Sequence, residues 1–563
     1  MTAQQNNTDI TPSLKVVTST LTAPYQSDPL SLYRHLSRDK AHSLLLESAE
    51  VDNKRALKSI ILAQANLKVR CDANLVTVTP LNSSGWAVIE HIIQQLKHHS
   101  QAQLLTVSKH ADKLVVSFNA TLHATDEMSR LLSVTPLEVL RCLQNIVGET
   151  HPFSVFLGGC FAFDLISISE QLPDVDDGDN TCPDFVFYLA ESLIVIDHKQ
   201  QSTQLVHNRF YTSAEHDERN ALNGKIALAT LQYECEKSHQ SIDIDLKTRR
   251  QSGVKEDVSD QQFCQHVSTL QEHIRAGDIF QVVPSRSFNL PCHDPLLAYQ
   301  ALKQTNPSPY MFFLKDADFQ LFGASPESAL KFASTTRQVE LYPIAGTRPR
   351  GFTRQGTYSA DLDGRIELEL RNDEKEKAEH LMLVDLARND IARVSIGGSR
   401  HVAELLNVDR YSHVMHLVSR VLGTLQPQLD ALHAYQACMN MGTLSGAPKV
   451  KATELIRQIE GKRRGSYGGA VGYLTGDGDM DTCIVIRSAF VKDQQAIIQA
   501  GAGVVHDSIP QAEADETRQK AQAVITAIEI ANANFNGELA ADKHRHADIE
   551  TQPASIKEPS ACQ

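Results

Sequence analysis

The chain contains 563 residues, which is too long for one simple core and predicts several domains or one large unit with additions. Its formal net charge of −14 argues against a nucleic-acid or anionic-membrane partner, and an anionic substrate would need a locally positive site. The start of the chain is polar, and no apolar run reaches the length of a membrane span. The 10 cysteines form no CxxC pair, so we expect reduced thiols and a cytoplasmic protein.

Composition divides the chain into consecutive parts. Residues 1–22 are polar and rich in Thr and Ser, which predicts a flexible arm. A first folded region, residues 23–252, ends in a polar stretch that is typical of a linker. Residues 257–533 form a second region of mixed strands and helices, and the polar residues 534–563 predict a disordered tail.

The second region begins with a predicted helix over residues 262–276, which Gly277 ends. A strand follows over residues 279–283, and residues 310–314 and 319–322 flank a polar turn that is typical of a hairpin. A second strand pair, residues 482–491 and 496–500, surrounds the Asp493-Gln494 turn, and long helices span residues 374–393 and 510–532. Hairpins with helices between them predict an α+β fold of layered antiparallel sheets.

Two pairs of glutamates lie on the long predicted helices. Glu376 and Glu379 are three residues apart, as are Glu513 and Glu516, so each pair presents two carboxylates on one helix face. Oxygens that converge from two helices suit Mg²⁺. The alternative is structural, because Asp373 and Glu376 could cap one helix and Glu513 lies near the positive end of the other. Glu379 and Glu516 lie deeper in their helices, and we therefore favour them as direct ligands.

Further candidates for chemistry lie in loops and at strand ends. The glycine-rich segments 343–348, 442–448 and 499–504 could hold a carboxylate on backbone N–H groups, or they could be ordinary tight turns. Glu327 follows the predicted hairpin, where a carboxylate is well placed to donate a proton. His416 is the other candidate proton carrier, although a single histidine is often a hydrogen-bonded structural residue.

These segments together resemble the chorismate-utilising enzymes, and most closely the large, chorismate-binding subunits (component I) of anthranilate synthases. The stretches that carry the resemblance are PIAGTRPRG at 343–351, EKAEHLMLVDLARNDIARV at 376–394, GTLSGAPKVKA at 442–452, RGSYGGAVG at 464–472 and QAGAGVVHDSIPQAEADETRQKAQ at 499–522. It extends into the first region through LLLES at 44–48 and GGCFAFDL at 158–165. The resemblance implies the chorismate-binding enzyme fold, with a smaller interleaved N-terminal regulatory region.

The resemblance also implies roles for individual residues. Glu327 matches the general acid/base, and His416 matches the histidine linked to pyruvate elimination. The positions that match the magnesium site are Glu379 and Glu516 as direct ligands, with Glu376 and Glu513 acting through water. The positions that match the chorismate pocket are Gly346, Thr347, Thr443, Tyr467, Arg487, Gly501, Ala502, Gly503 and Lys520.

Two positions discriminate among the related enzymes. Aminodeoxychorismate synthases carry a lysine where this chain has Ala345, so no amine nucleophile is available there. Isochorismate and salicylate synthases carry a water-activating lysine where this chain has Gln281. The implied function is therefore the conversion of chorismate and ammonia to anthranilate and pyruvate, the first step of tryptophan synthesis from chorismate. The alternatives are an aminodeoxychorismate synthase component I and a catalytically inactive tryptophan-sensing subunit.

The resemblance implies two further ligands. The chain has no convincing glutaminase constellation, so we expect a separate glutamine amidotransferase subunit to supply ammonia. The family also binds L-tryptophan as a feedback inhibitor between the two regions. The residues of this chain that match the inhibitor pocket are Ser48, Lys58, Pro309, Tyr310 and Met311.

Overall fold

The structure is a computed structural model of the chain. It describes residues 14–48, 57–119, 126–148, 151–212, 218–237, 239, 241–251, 253–353, 355–411 and 414–550, without the side chains of residues 218–221 and 536–550. All statements below concern these described ranges.

The strands, in chain order, are β1 (Leu14–Ala23), β2 (Ser43–Glu47), β3 (Lys58–Asp72), β4 (Leu75–Pro80), β5 (Leu105–Lys109), β6 (Leu114–Phe118), β7 (Phe156–Phe161), β8 (Phe185–Asp197), β9 (Ser202–Thr212), β10 (Lys255–Glu256), β11 (Gln281–Val282), β12 (Ser285–Pro291), β13 (Tyr310–Lys315), β14 (Gln320–Ser325), β15 (Ser328–Ala333), β16 (Gln338–Leu341), β17 (Ile344–Pro349), β18 (His401–Arg410), β19 (Val414–Thr424), β20 (Gly446–Ala447), β21 (Ala470–Thr475), β22 (Met480–Ile484), β23 (Ser488–Lys492) and β24 (Gln495–Gly501). The α-helices are α1 (Pro29–Ser37), α2 (Gly85–Lys97), α3 (Glu127–Leu131), α4 (Glu138–Gln144), α5 (Glu218–Glu236), α6 (Asp260–Ala276), α7 (Pro295–Thr305), α8 (Ala360–Asn372), α9 (Glu374–Val394), α10 (Ala431–Cys438), α11 (Lys449–Glu460) and α12 (Pro510–Glu550).

The long antiparallel strands β3 and β8 pair with each other and are shared by two groups of strands. At one end, β3 pairs with β2 and β8 pairs with β9, and the sheet continues from β2 through β13, β14, β23, β24 and β12. At the other end, β3 pairs with β4 and β8 pairs with β7, and the sheet continues from β7 through β21, β22, β15, β16 and β19. The prediction of an α+β fold with antiparallel sheets is confirmed.

Strand β8 shows why its sequence is apolar almost throughout. Successive strand side chains point to opposite faces. Phe185 and Phe187 lie in one core cluster, whereas Val186 and Tyr188 lie in another. Both faces are therefore covered, and the usual alternation of apolar and polar residues is absent.

The two regions that composition separates share one continuous sheet. Strand β2 of the first region pairs with β13 of the second, and β7 pairs with β21. The predicted linker contributes strand β10, which pairs with β12. The N-terminal region therefore lies directly against the strands that lead to Glu327.

Several local predictions are confirmed. Helix α6 begins with a capping box of Ser259 and Gln262 and ends at Gly277, which has a φ of 84°. Strands β13 and β14 form the predicted hairpin. The side chain of Asp373 caps α9 by accepting hydrogen bonds from the backbone N–H groups of Lys375 and Glu376.

Other local predictions are wrong. Residues 14–22 are not a flexible arm, because β1 pairs with β9 along its whole length. Helix α12 continues to Glu550, within the segment predicted as a tail, and residues 1–13 and 551–563 of the predicted arm and tail lie outside the described residues. The single strand predicted over residues 482–491 is two strands, β22 and β23. The break includes Arg487, whose positive φ of 49° turns the backbone away from an extended course.

No helix in the described part of the chain is both long enough and apolar enough to cross a membrane. The nine cysteines within the described ranges carry free thiols, as their scattered positions predict.

Candidate active site

Glu327 lies in a buried position directly after strand β14, and its side chain is the strongest candidate for an acid. It is 7% exposed, and its Oε1 accepts a hydrogen bond of 2.9 Å from the hydroxyl of Thr443. Burial raises the pKa of Glu327 to about 8, although the hydrogen bond from Thr443 and the charge of Lys520 act to lower it. The carboxyl group therefore holds its proton near neutral pH.

His416 lies on β19 opposite Thr347 on β17. Its Nδ1 is 2.9 Å from the hydroxyl oxygen of Thr347, and the backbone of Gly346 also bonds to the ring. Burial, together with the nearby charges of Arg487 and Lys520, lowers the pKa of His416 to about 4. The imidazole is therefore neutral at physiological pH.

Gly346 explains how Thr347 comes to face His416. The pairing of β17 with β19 shifts register between Ala345 and Thr347, so Gly346 is the extra residue of a bulge. Its φ is 78°, and a Cβ there would lie 3.1 Å from Oε2 of Glu376. A side chain at this position would be strained and would crowd a candidate metal residue.

Tyr467 and Arg487 are two candidate pocket residues whose charges act on each other. Tyr467 is buried, and burial raises its pKa to about 12 despite the nearby charges of Arg464 and Arg487 and a hydrogen bond with the backbone of Gly501. Burial lowers the pKa of Arg487, while the negative charge of Glu516 acts to raise it. The guanidinium of Arg487 is therefore a desolvated cation, well suited to a carboxylate.

Lys520 on α12 connects the parts of the site. Its Nζ donates to the backbone oxygen of Gly501 at 3.0 Å and lies 2.7 Å from Oε1 of Glu516. Its charge also acts on Glu327, His416 and Glu379. The charge of Lys520 therefore links the acid, the histidine and members of the acidic pairs into one candidate site.

The acidic pairs from α9 and α12 face each other. Burial raises the pKa of Glu379 to about 6, and the charges of Glu376 and Glu516 add to this effect. Glu376 pairs with Arg348 at 2.8 Å. Burial and the charge of Glu516 also raise the pKa of Glu513.

The chemistry of this acidic group fits a divalent cation. Oε2 of Glu513 is buried and has no hydrogen-bond partner among the described residues, and the pKa of Glu379 stays raised beside Glu376 and Glu516 although the charges of Lys520 and Lys375 act to lower it. A cation relieves both costs. Among the described residues, no group of three or more His, Cys, Asp or Glu side chains is arranged to hold a metal ion.

Residues 501–503 do not all have backbone N–H groups that are available to a ligand. The N–H of Ala502 donates to the carbonyl of Pro284 at 3.2 Å, so this amide is used within the fold. A Cβ on Gly503 would lie 2.9 Å from Nε2 of Gln281 and 3.4 Å from Oε1 of Glu379. Gly503 is therefore required for close packing beside the acidic group.

Sequence reasoning missed two contacts of the acidic group. Nε2 of Gln281 donates to Oε1 of Glu379 at 3.1 Å, which fixes one candidate metal ligand from strand β11. Arg348 pairs with Glu376 at 2.8 Å and with Asp373 at 2.7 Å. The position of Arg348 within the PIAGTRPRG motif could have indicated its role from the sequence. The contact of Gln281 with Glu379 could not have been predicted in this way, because it depends on the tertiary fold.

The candidate inhibitor residues meet where β2, β3 and β13 adjoin. The N–H of Ser48 donates to the carbonyl of Lys58 at 3.3 Å, and Met311 pairs with Glu47 across β13 and β2. Pro309 and Met311 are buried, and Tyr310 is half-buried. The five residues therefore lie close together at the junction of the two regions.

This fold, with a buried acid, a neutral histidine and acidic pairs that all interact with the charge of Lys520, is that of an enzyme that uses chorismate. The family described as chorismate binding enzyme matches residues 93–526. The anthranilate synthase component 1 of Vibrio cholerae is 52% identical over 522 residues, which cover 92% of this chain and 97% of that protein. The protein of the same name from Escherichia coli is 49% identical over 523 residues, which cover 92% of this chain and 98% of that protein.

Solved structures support the same conclusion. The structure of anthranilate synthase component I from Streptococcus pneumoniae matches with a TM-score of 0.62 and 30% identity, covering 85% of this chain and 94% of that one. The menaquinone-specific isochorismate synthase of Escherichia coli has a TM-score of 0.60 at 18% identity, covers 92% of this chain and 95% of that one, and shows the fold alone. The chain therefore belongs to the chorismate-binding enzyme family and, within it, to the anthranilate synthase component 1 proteins.

Proposed function

We propose that this chain is the cytoplasmic synthase subunit that converts chorismate and ammonia to anthranilate, pyruvate and water. A partner glutamine amidotransferase subunit supplies the ammonia from glutamine. The observation that carries the proposal is the buried Glu327, which Thr443 holds through a 2.9 Å hydrogen bond and whose pKa of about 8 keeps it protonated near the charge of Lys520. A group with a pKa of about 8 is roughly nine-tenths protonated at pH 7, whereas an ordinary glutamate is almost wholly ionised.

The positive charges of Arg487 and Lys520 support the binding of a dicarboxylate by an acidic protein. Burial of Arg487 would strengthen its interaction with a substrate carboxylate, and Lys520 lies close by, where its Nζ donates to the backbone oxygen of Gly501. The side chains that would hold Mg²⁺ are Glu379 and Glu516, with Glu376 and Glu513 acting through water. When bound, the ion neutralises one substrate carboxylate and polarises it. Nζ of Lys520 lies 2.7 Å from Oε1 of Glu516, so Glu516 would have to give up this ion pair in order to bind the metal.

The first half of the reaction uses Glu327 as an acid. Ammonia forms a bond to C2 of the ring while the bond from C4 to its hydroxyl breaks, and the proton of Glu327 passes to that hydroxyl, which leaves as water. The ring double bonds move from C1–C2 and C5–C6 to C1–C6 and C4–C5, which gives aminodeoxyisochorismate. The incoming nitrogen gives its extra proton to the carboxylate of Glu327, which restores the acid. Thr443 holds the carboxyl of Glu327 in position through the 2.9 Å hydrogen bond.

The second half removes the ring proton at C2 and the enolpyruvyl group. The ring becomes aromatic as the ether bond breaks, and pyruvate leaves. His416 has a lowered pKa of about 4 and is therefore an uncharged base or hydrogen-bond donor at neutral pH. Its ring orientation is set by Thr347, whose hydroxyl lies 2.9 Å from Nδ1.

Two side chains favour ammonia as the nucleophile. Ala345 on β17 offers no amine, so an adduct between enzyme and ring cannot form there. Gln281 has no basic nitrogen with which to activate a water molecule, and its amide is engaged with Glu379. This argues against the aminodeoxychorismate synthase and isochorismate synthase alternatives.

We further propose that L-tryptophan binds at the junction of β2, β3 and β13 and inhibits the enzyme. Strand β13 pairs with β14, and β14 ends two residues before Glu327. A ligand that holds β2 against β13 can therefore bias the position of the acid. This link from Ser48 and Met311 to Glu327 passes through paired strands only.

The test is a fluorescence assay for anthranilate with purified chain, chorismate, Mg²⁺ and ammonium salt. Anthranilate formation that needs Mg²⁺ supports the proposal, and glutamine should replace ammonium only when the amidotransferase partner is present. Aminodeoxychorismate as the sole product would favour the first alternative. Folded protein that binds tryptophan but forms no product would favour the inactive sensor.

A further inference from the structure

Arg464 and Glu460 form a buried ion pair among the segments that carry the candidate pocket residues. Arg464 begins the RGSYGGAVG motif, and Glu460 is the last residue of α11. Their side chains are 1% and 3% exposed, and Nε of Arg464 donates to Oε2 of Glu460 at 2.9 Å. The proposed reaction uses neither side chain directly. Because the cost of desolvating a buried pair can exceed the attraction between its charges, stability alone does not explain this pair.

The guanidinium of Arg464 fixes the backbone of two other segments. Its Nη1 donates to the carbonyl of Leu444 at 2.8 Å, and its Nη2 donates to the carbonyl of Val283 at 2.7 Å. Leu444 directly follows Thr443, whose hydroxyl donates to Glu327 at 2.9 Å. Arg464 therefore holds the backbone immediately after the residue that positions the acid.

The same ion pair also contacts the segments of Tyr467 and Gly501. The guanidinium carbon of Arg464 lies 5.6 Å from the centre of the Tyr467 ring, which is within the range of a cation–π interaction. Oε1 of Glu460 accepts hydrogen bonds of 2.8 Å from both the N–H and the hydroxyl of Ser285. Ser285 in turn pairs with Gly501 across β12 and β24. Three segments that carry candidate chorismate residues are therefore connected through one ion pair.

We propose that Arg464 and Glu460 form a positioning pair for the proton donor Glu327. Arg464 holds the backbone after Thr443, so that the hydroxyl of Thr443 stays at hydrogen-bonding distance from Glu327. This inference rests on the proposed function, because it assumes that Glu327 is the acid. Lysine cannot replace Arg464 in this role, because the planar guanidinium donates in several fixed directions, whereas one ammonium group cannot reach both carbonyls and the carboxylate.

The test is the pH dependence of kcat/KM for chorismate, measured with ammonium salt, in Arg464→Lys. Loss of the bond to Leu444 should release Thr443 from Glu327, so the basic limb should move to higher pH by up to about 1–2 units, as it should in Thr443→Val. The value of kcat/KM should also fall at least about tenfold. The combined variant Arg464→Lys/Thr443→Val should move the limb no further than Thr443→Val alone, because both changes remove the same hydrogen bond.

Arg141→Lys is the matched control. Arg141 is also a buried arginine, at 9% exposed, and it pairs with Glu138 and Asp430, which are not candidate site residues. Its replacement should lower stability without moving the basic limb. A second variant, Arg464→Met/Glu460→Gln, removes both charges together, so no unpaired buried charge remains to prevent folding. It should move the limb in the same direction as Arg464→Lys, and circular dichroism verifies the fold of each variant.

A basic limb that stays at its original pH in folded Arg464→Lys, or in the second variant, overturns the proposal. A combined variant whose shift is the sum of the two single shifts also overturns it, because Arg464 and Thr443 would then act independently. An equal shift in Arg141→Lys does the same, since a general loss of packing would explain the effect. Failure of the proposed function is distinguishable, because the parent chain would then form no anthranilate from chorismate and ammonium salt.

Discussion

Thr443→Val tests whether Glu327 is the acid and whether its hydrogen bond sets its pKa. The hydroxyl of Thr443 donates to Oε1 of Glu327 at 2.9 Å, and this bond acts to lower the pKa of the carboxyl. Valine has nearly the same shape but no donor. A hydrogen bond to a charged group contributes about 1.5–3 kcal/mol, and one pKa unit corresponds to about 1.36 kcal/mol. Loss of the bond should therefore raise the pKa of Glu327 by about 1–2 units.

The assay is the pH dependence of kcat/KM for chorismate, which reports the pKa values of the essential groups in the free enzyme. Turnover requires protonated Glu327, so the rate of the parent should fall as pH rises through about 8. In Thr443→Val this basic limb should move to higher pH by about 1–2 units, whatever happens to the absolute rate. Free ammonia must be held constant across the pH range, because its own protonation changes there.

Thr443→Ser is the control, because serine keeps the hydroxyl donor and should keep the basic limb near its original position. The reasoning fails if the basic limb of Thr443→Val stays in place or moves to lower pH. It also fails if serine and valine shift the limb equally.

The remaining predictions concern the inhibitor pocket, the stability of the site and its packing. Ser48→Phe should weaken tryptophan inhibition and spare catalysis, because the larger side chain fills the junction of β2, β3 and β13. Glu327→Gln should raise the free energy of unfolding at pH 9, by up to about 4 kcal/mol, but not at pH 4. The sign follows because the folded pKa of Glu327 is raised, so its contribution is complete below the unfolded value and is lost as pH rises through about 8. Gly503→Ala should lower kcat/KM for chorismate at least about tenfold, because its Cβ would displace Gln281 from Glu379.

Each of these predictions has an outcome that contradicts it. Unchanged tryptophan inhibition in Ser48→Phe removes Ser48 from the pocket. Chemical denaturation that shows no stabilisation of Glu327→Gln at pH 9 contradicts the raised pKa. Gly397→Ala is the control for the glycine test, because a Cβ at Gly397 meets nothing within 4 Å, and equal effects in both variants would contradict the packing argument.

Sequence patterns predicted the parts of the fold that depend on neighbours along the chain. The α6 cap at Gly277, the hairpin of β13 and β14 and the start of α9 at Asp373 all follow from residues a few positions apart. The strand β1 was missed because its partner β9 lies almost 200 residues away, as in the pair Leu14 and Thr212. Such long-range pairing leaves no local signature in a polar sequence.

The candidate site was also predicted from the sequence only in part. The residues of the candidate site came from motifs, and the structure places the charge of Lys520 near Glu327, His416 and Glu379. Their electrostatics required the fold, because the raised pKa of Glu327 comes mainly from burial that no motif states. The contact of Gln281 with Glu379 joins residues 98 positions apart. The sequence also did not predict the positive φ of Arg487, because the pattern of its segment is typical of an unbroken strand.

We propose that acids from α9 and α12 hold the cation through which an acidic protein binds a dianionic ring. Calorimetric binding of chorismate, with and without Mg²⁺, to the parent chain and to Glu379→Gln/Glu516→Gln tests this proposal. Mg²⁺ should strengthen chorismate binding to the parent at least about tenfold and should have no such effect on the variant. An equal gain from Mg²⁺ in both proteins would contradict it.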